Sequence, residues 1–194
     1  MLFRSFAGYI KVRREMPATT DIEEVHQAIG EFVVFFQSIE DMYRQIGWFL
    51  VDPEKTAWSP SAFRKESNSD LVDKVTNLFV DLTRQYEFPN GVQKADEAKE
   101  LRSTFHELRK FRNRVVHSAY HEVTAGGQVA AILRTNPRIT VDPDTGEIEY
   151  DQEYFDTNAI RNEIARHAQA FFILHTIRTQ LVHWYPFSRF ERDT

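Results

Sequence analysis

Apolar residues recur at helical spacing over four long stretches of this 194-residue chain, and this period constrains the fold more than any other feature of the sequence. The stretches predict helices over about 20–50, 71–86, 92–120 and 156–185. Thr20-Asp21-Ile22-Glu23 forms a capping box that opens the first helix, because the threonine hydroxyl can accept a hydrogen bond from an early helix amide. Four long amphipathic helices in one chain predict an all-α fold, a helical bundle.

The period changes between the third and fourth helices. Gly126-Gly127 is a turn signal, and so is the DPDTG segment further along the chain. The segments beside these turns have the composition and alternation of short strands: QVAAILR, RITV and EIEY. We therefore predict a small β-hairpin inserted over 122–150, within a single domain that spans 1–194. Residues 1–19 show no pattern that assigns them to an element.

Composition limits the class of protein and its compartment. Hydrophobic residues make up 42% and charged residues 27% of the chain, which is ordinary for a globular protein. The chain has no Cys, which excludes a disulfide framework and a thiolate metal site and favours a reducing compartment. Charged residues such as Arg4 and Lys11 interrupt the apolar run that a signal peptide needs. We therefore predict a soluble, cytoplasmic protein without a membrane partner.

The segment RKFRNRVVHSAY, residues 109–120, concentrates positive charge in a chain whose net charge is −5. On a helical wheel, Asn113, His117 and Tyr120 lie opposite the predicted core stripe, and Arg112 lies at its edge. The predicted core stripe consists of Leu101, Leu108, Val115 and Ala119. Because a net negative charge disfavours nonspecific binding to nucleic acid, any contact with a polyanion has to come from such a local patch.

Two ordinary interpretations of this segment stay open. In the first, Arg109, Lys110 and Arg114 are a solvated helix face that complements the negative end of the helix dipole. In the second, His117 and His121 offer two imidazoles to a metal ion from one helix, because they are four residues apart. A metalloprotease motif has Glu directly after its first His, and the chain has neither that Glu nor an evident third ligand. We therefore predict no metal site.

The string Arg112-Asn113-Arg114-Val115-Val116-His117 resembles the signature of the HEPN superfamily, the higher eukaryotes and prokaryotes nucleotide-binding domains. Members of that superfamily are compact helical bundles, and many are metal-independent endoribonucleases that act as toxins, in phage defence or in RNA processing. The resemblance covers about 20–185 in architecture and six positions in sequence. Some toxin branches have a tyrosine two residues after the histidine, whereas this chain has Ala119 there and Tyr120 one residue later.

The resemblance implies that RNA is cleaved by attack of a ribose 2′-OH on the adjacent phosphate, which leaves a cyclic phosphate end. His117 would act as the general acid or base, since an imidazole exchanges protons near neutral pH. The Arg112 guanidinium would stabilise charge on the phosphorane oxygens, and Asn113 would orient the imidazole or a phosphate oxygen. The predicted contacts to RNA are Arg109, Lys110, Arg114 and Tyr120.

One such histidine per chain leaves the acid and base pair incomplete, and the superfamily completes it with a homodimer that joins two motifs across a cleft. We therefore predict RNA and a second copy of the chain as partners, with no cofactor. An antitoxin or a nucleotidyltransferase is a further partner that the resemblance allows. The alternative function is a non-catalytic module that uses the same residues to recognise RNA, a nucleotide or a protein partner.

Overall fold

The protein is mainly helical, with four long helices and one small antiparallel sheet of three strands. The structure is a computed structural model, and it describes residues 19–54, 63, 65–141 and 148–191. The helices are α1 (Ile22–Val51), α2 (Asn68–Gln85), α3 (Gly91–Val116) and α4 (Thr157–Trp184), and the strands are β1 (Ala119–Ala125), β2 (Gln128–Val141) and β3 (Ile148–Tyr154). In these described ranges, no helix combines the length and the apolar character needed to cross a membrane.

The four predicted helices are confirmed, and two details of them are wrong. The third helix ends at Val116 rather than near residue 120. At the start of α1 the cap is Asp21 rather than Thr20, because an Asp21 carboxylate oxygen accepts the Glu23 amide at 2.8 Å. Aspartate is as good an N-cap as threonine, so the sequence contained two candidates in adjacent positions.

The sheet is larger than the predicted hairpin over 122–150. Strand β1 pairs antiparallel with β2 from Ala119 onward, so a third strand occupies residues that the helical period had assigned to α3. Strand β2 is one continuous strand that joins two predicted short ones, and it pairs with β3 in the register Ile139 to Tyr150. Gly126 and Gly127 make the turn between β1 and β2 with φ of +60° and +80°, where a side chain would be strained. The DPDTG turn lies outside the described residues.

Contacts between residues group the chain into two compact units, although the sequence predicted a single domain over 1–194. The first unit comprises the described parts of 1–33 and 111–162, which include the end of α3 and the whole sheet. The second unit comprises the described parts of 34–110 and 163–194. The boundaries therefore fall inside α1, α3 and α4, and each unit has its own buried side chains.

In the second unit, all four helices contribute to one core. A cavity of about 10 Å³ is lined by residues from each helix: Tyr43, Ile46, Val75, Thr76, Phe79, Ala98, Leu174 and Ile177. Aromatic pairs hold the helices together, as in the edge-to-face contact of Tyr43 with Phe105 at 5.3 Å and the stacking of Phe88 on Trp184 at 4.4 Å. Leu108 of α3 is completely buried.

In the first unit, hydroxyl and carboxylate groups join the starts of α1 and α4. The Thr157 amide, at the first position of α4, donates to the Thr19 hydroxyl at 3.1 Å, and both residues are buried. The Thr157 hydroxyl and the Arg161 guanidinium both donate to Glu24, each at 3.0 Å. The bond to Thr19 satisfies the Thr157 amide, which the first turn of a helix cannot pair internally. Val115, the last buried apolar residue of α3, belongs to the same unit and is 2% exposed.

We expect the Leu108→Ala variant to lower the free energy of unfolding by about 2–5 kcal/mol, because truncation removes apolar contacts and leaves a cavity. Val92→Ala is the matched control on the same helix: Val92 is 77% exposed, and the change should stay within about 0.5 kcal/mol. Urea denaturation followed by circular dichroism measures both. Equal effects for the two variants would contradict the assigned core face of α3.

Candidate functional site

The three predicted catalytic residues lie at the C-terminal end of α3, within the first unit. Arg112 and Asn113 belong to its last turn, and His117 is the first residue after it. The His117 amide still donates to the Asn113 carbonyl at 3.1 Å, so the helical hydrogen-bond pattern continues by one residue. His117 is exposed. The prediction that Asn113 and His117 are one turn apart is therefore confirmed, although His117 lies in a turn and not in the helix.

A hydrogen bond joins the side chains of Arg112 and Asn113. An Arg112 terminal nitrogen donates to the Asn113 amide oxygen at 3.1 Å. This bond uses the acceptor of the asparagine and leaves its amide nitrogen as a donor. Arg112 is half-buried, as its position at the edge of the core stripe predicted, and its guanidinium reaches Asn113.

The Arg114 guanidinium is exposed and lies over an aromatic ring. It is 5.4 Å from the centroid of Phe111, and Phe111 in turn makes an edge-to-face contact with Phe32 at 5.3 Å. Such a cation–π contact at an exposed site contributes about 0.5–1 kcal/mol. The contact orients the guanidinium and leaves its N–H groups at the surface, so the positive charge remains accessible to an anion.

Arg109 and Lys110 occupy the preceding turn of α3, in the second unit. The Lys110 ammonium is 2.7 Å from the Glu107 carboxylate, and this hydrogen bond and the charge of Lys110 lower the pKa of Glu107. Both side chains are exposed, and exposed ion pairs of this kind contribute little to stability. Arg109 is half-buried, and its Nε is a buried donor without a partner in the described part of the chain. The Lys110 ammonium is therefore exposed and held by one accessible carboxylate.

Tyr120 belongs to strand β1, not to the helix face on which the wheel placed it. Its hydroxyl donates to the Val115 carbonyl at 2.8 Å, and its ring makes an edge-to-face contact with Phe155 at 5.0 Å. Burial raises the pKa of Tyr120 to about 12. Ala119, predicted as a core residue, is exposed, because α3 ends before it. Tyr120 therefore connects β1 to the end of α3, and its hydroxyl proton is already used in the bond to Val115.

The premise of the metal alternative is wrong. His121 lies in β1 and His117 lies in the turn before that strand, so the two imidazoles do not project from one helix. Across the residues that the structure describes, no three or more His, Asp or Glu side chains are grouped closely enough to hold a metal ion.

Sequence reasoning missed a buried arginine beside the motif. Arg134 of β2 is 1% exposed, and its guanidinium donates to Asp151 and Glu153 of β3 and to the Ser118 hydroxyl. We call these four residues the Arg134 cluster. The available signal was a charge at the end of the apolar segment QVAAILR, together with two acidic residues two positions apart in β3, which lie on one face of a strand.

Comparison with protein-family models, with curated proteins and with solved structures gave no match to this chain. The resemblance to the HEPN superfamily therefore rests on the string that begins at Arg112 and ends at His117, together with the helical architecture.

The raised pKa of Tyr120 predicts a specific pH dependence. An exposed tyrosine has a pKa of about 10, whereas we expect Tyr120 to have a pKa of about 12. Because the folded-state pKa is the higher one, the stability contributed by the neutral hydroxyl is complete below the unfolded pKa and is lost as the pH rises through the folded one. A titration of phenolate absorbance, wild type minus Tyr120→Phe, measures this directly. A difference curve centred at the value for exposed tyrosine would contradict the burial of the Tyr120 hydroxyl.

Proposed function

We propose that this protein is a metal-independent endoribonuclease of HEPN type that acts in the cytoplasm as a toxin or in phage defence. In this proposal the four long helices form a bundle, and the sheet is an insertion between the third and the fourth. One observation carries the proposal: Arg112 and Asn113 lie at the end of α3, and the exposed His117 follows one helical turn after Asn113. There the imidazole is accessible and the guanidinium is hydrogen-bonded to Asn113.

In the proposed reaction, a ribose 2′-OH attacks the adjacent phosphate, and the RNA 5′-oxygen leaves. His117 takes the proton from the attacking hydroxyl or gives one to the leaving oxygen. The Arg112 guanidinium donates to the phosphorane oxygens, where negative charge develops. Asn113 keeps an amide donor after it has accepted from Arg112, and that donor orients the imidazole or a phosphate oxygen.

General acid and general base catalysis need two groups, and the motif of one chain supplies only His117. We propose that a second copy of the chain supplies the other imidazole, so that the active species is a homodimer. The exposure of His117 supports this, because a buried imidazole could not meet a partner. An antitoxin or a nucleotidyltransferase is the proposed regulatory partner.

Contacts to the RNA backbone complete the proposed site. Arg114 presents an oriented and exposed guanidinium in the first unit. In the second unit, Lys110 has an exposed ammonium whose present partner is an equally accessible carboxylate. Arg109 and Tyr120 are the remaining proposed contacts. Such contacts to phosphate position the RNA without reading its sequence.

Binding without cleavage is the second candidate function. The hydrogen bonds that the cationic side chains already make support this candidate. A guanidinium bonded to Asn113 and an ammonium bonded to Glu107 can hold a phosphate whether or not the RNA is cut. The two functions differ in one outcome, which is whether labelled RNA yields products with a cyclic phosphate end.

We expect the His117→Ala variant to lower the rate of RNA cleavage by about 10²- to 10⁴-fold, the usual contribution of a general acid or base. His121→Ala is the matched control, since His121 is also an exposed histidine of the first unit and lies four residues away. The assay uses end-labelled RNA in EDTA, which a metal-independent nuclease tolerates. Cleavage by His117→Ala at the wild-type rate would end the assignment, and binding without any cleavage by the wild type would favour the second candidate.

We expect Arg114→Ala to weaken RNA binding and to reduce the slope of log affinity against log salt by about one, because one phosphate contact is lost. Lys74→Ala is the control: this exposed lysine of α2 pairs with Glu66 outside the motif and should leave the slope unchanged. Fluorescence anisotropy over a salt series measures both. A change in cleavage rate at saturating RNA, with unchanged binding, would instead assign Arg114 to the chemistry.

A further inference from the structure

The Arg134 cluster holds a buried positive charge against two carboxylates. The Arg134 side chain is 1% exposed, whereas Asp151 and Glu153 are 41% and 45% exposed. Asp151 accepts two bonds, at 2.6 and 3.3 Å, and Glu153 accepts the bond from Nε at 2.9 Å. Burial acts to lower the pKa of the guanidinium, but the hydrogen bond to Asp151 and the charge of Glu153 outweigh it and raise that pKa. Arg134 is therefore charged and fixed in one orientation.

One terminal nitrogen of this guanidinium, which also donates to Asp151 at 3.3 Å, connects the cluster to the end of α3. An Arg134 terminal nitrogen donates to the Ser118 hydroxyl at 3.0 Å, and that hydroxyl donates to the Arg114 carbonyl in the last turn of the helix. Ser118 directly follows His117 in the chain. The hydroxyl thus connects the buried charge to the segment that carries the proposed catalytic histidine.

His117 has an anchored residue on each side of it. Before it, Val115 accepts the Ser118 amide at 3.5 Å and the Tyr120 hydroxyl at 2.8 Å. After it, Ser118 is held by Arg134. The backbone of His117 is therefore constrained from both directions, while its imidazole stays exposed. Positioning of this kind matters for catalysis, because a displacement of about 1 Å can reduce a rate by about 10²-fold.

We propose that Arg134 is a positioning residue: through the Ser118 hydroxyl it fixes the turn after α3 and thereby the orientation of His117. The effect on cleavage rests on the proposed function, whereas the effect on the geometry of the turn does not. A purely structural role, in which Arg134 only joins β2 to β3, predicts instead that Arg134→Lys leaves the turn and the rate unchanged, because the Ser118 hydroxyl keeps its bond to the Arg114 carbonyl.

Ser118→Ala removes the connection and leaves Arg134 bonded to both carboxylates, but it also removes the bond to the Arg114 carbonyl, so Arg134→Lys is the deciding variant. We expect kcat for RNA cleavage to fall about 10- to 100-fold with KM within about twofold, since orientation and not binding is lost. Ser118→Thr keeps a hydroxyl and should restore most of the rate. Arg134→Lys keeps the charge but loses the planar guanidinium with its several N–H donors. It should resemble Ser118→Ala in kcat. The control is Arg161→Lys, a matched change in an ion pair of the same unit that bonds Glu24 and not Ser118.

Amide hydrogen exchange at His117 and Ser118 gives a readout that does not depend on activity. We expect faster exchange at both amides in Ser118→Ala and Arg134→Lys, and wild-type exchange in Ser118→Thr and Arg161→Lys. If the wild-type protein does not cleave RNA but exchange accelerates as stated, the proposed function fails and the positioning role stands. Wild-type exchange in Arg134→Lys, together with a wild-type rate where cleavage occurs, overturns the positioning role. Should Ser118→Ala fail to fold, the exchange and kcat of Arg134→Lys against Arg161→Lys decide in the same way.

Discussion

Burial of one side of α3 is the constraint on which the rest of the candidate site depends. Leu101, Leu108 and Val115 repeat every seven residues and are 4%, 0% and 2% exposed. Each such side chain contributes about 1.5–3 kcal/mol when it leaves water, so the helix cannot rotate to bury another face. Lys110 and Arg114 are exposed as a consequence, so positive charge accumulates on the surface of an acidic chain at the end of α3.

The place where α3 ends is set by side chains that take over its last carbonyl groups. A helix leaves its final carbonyls unpaired, and many helices satisfy them with a glycine in the left-handed conformation. Here the Ser118 hydroxyl donates a hydrogen bond to the Arg114 carbonyl, and the Tyr120 hydroxyl donates one to the Val115 carbonyl. Because both hydroxyls come from the start of the sheet, the same bonds that end the helix also direct the chain into β1. The turn at His117 is therefore a consequence of the sheet.

The parts of the fold that local pattern determines could be predicted, and those that long-range pairing determines could not. The helical period indicated α1, α2 and α4 to within one turn, and alternation indicated strands around Ile139 and Tyr150, which belong to β2 and β3. The same helical period continued through Ala119 and concealed β1, because a short apolar segment such as VVHSAY is compatible with either structure. Whether this segment forms helix or strand depends on β2, which pairs with β1 after a turn at Gly126-Gly127.

The sequence by itself determined which residues carry the candidate chemistry: the order Arg112, Asn113 and His117, with one helical turn between the last two, follows from local spacing alone. Only the tertiary structure decided that His117 lies in a turn, that the Tyr120 hydroxyl is bonded to the helix end, and that Arg134 reaches Ser118. Arg134 and Asp151 are 17 positions apart and meet only through strand pairing. The attraction between Arg134 and Asp151 becomes strong once β2 and β3 exclude water from the guanidinium. The unfolded chain provides no such environment.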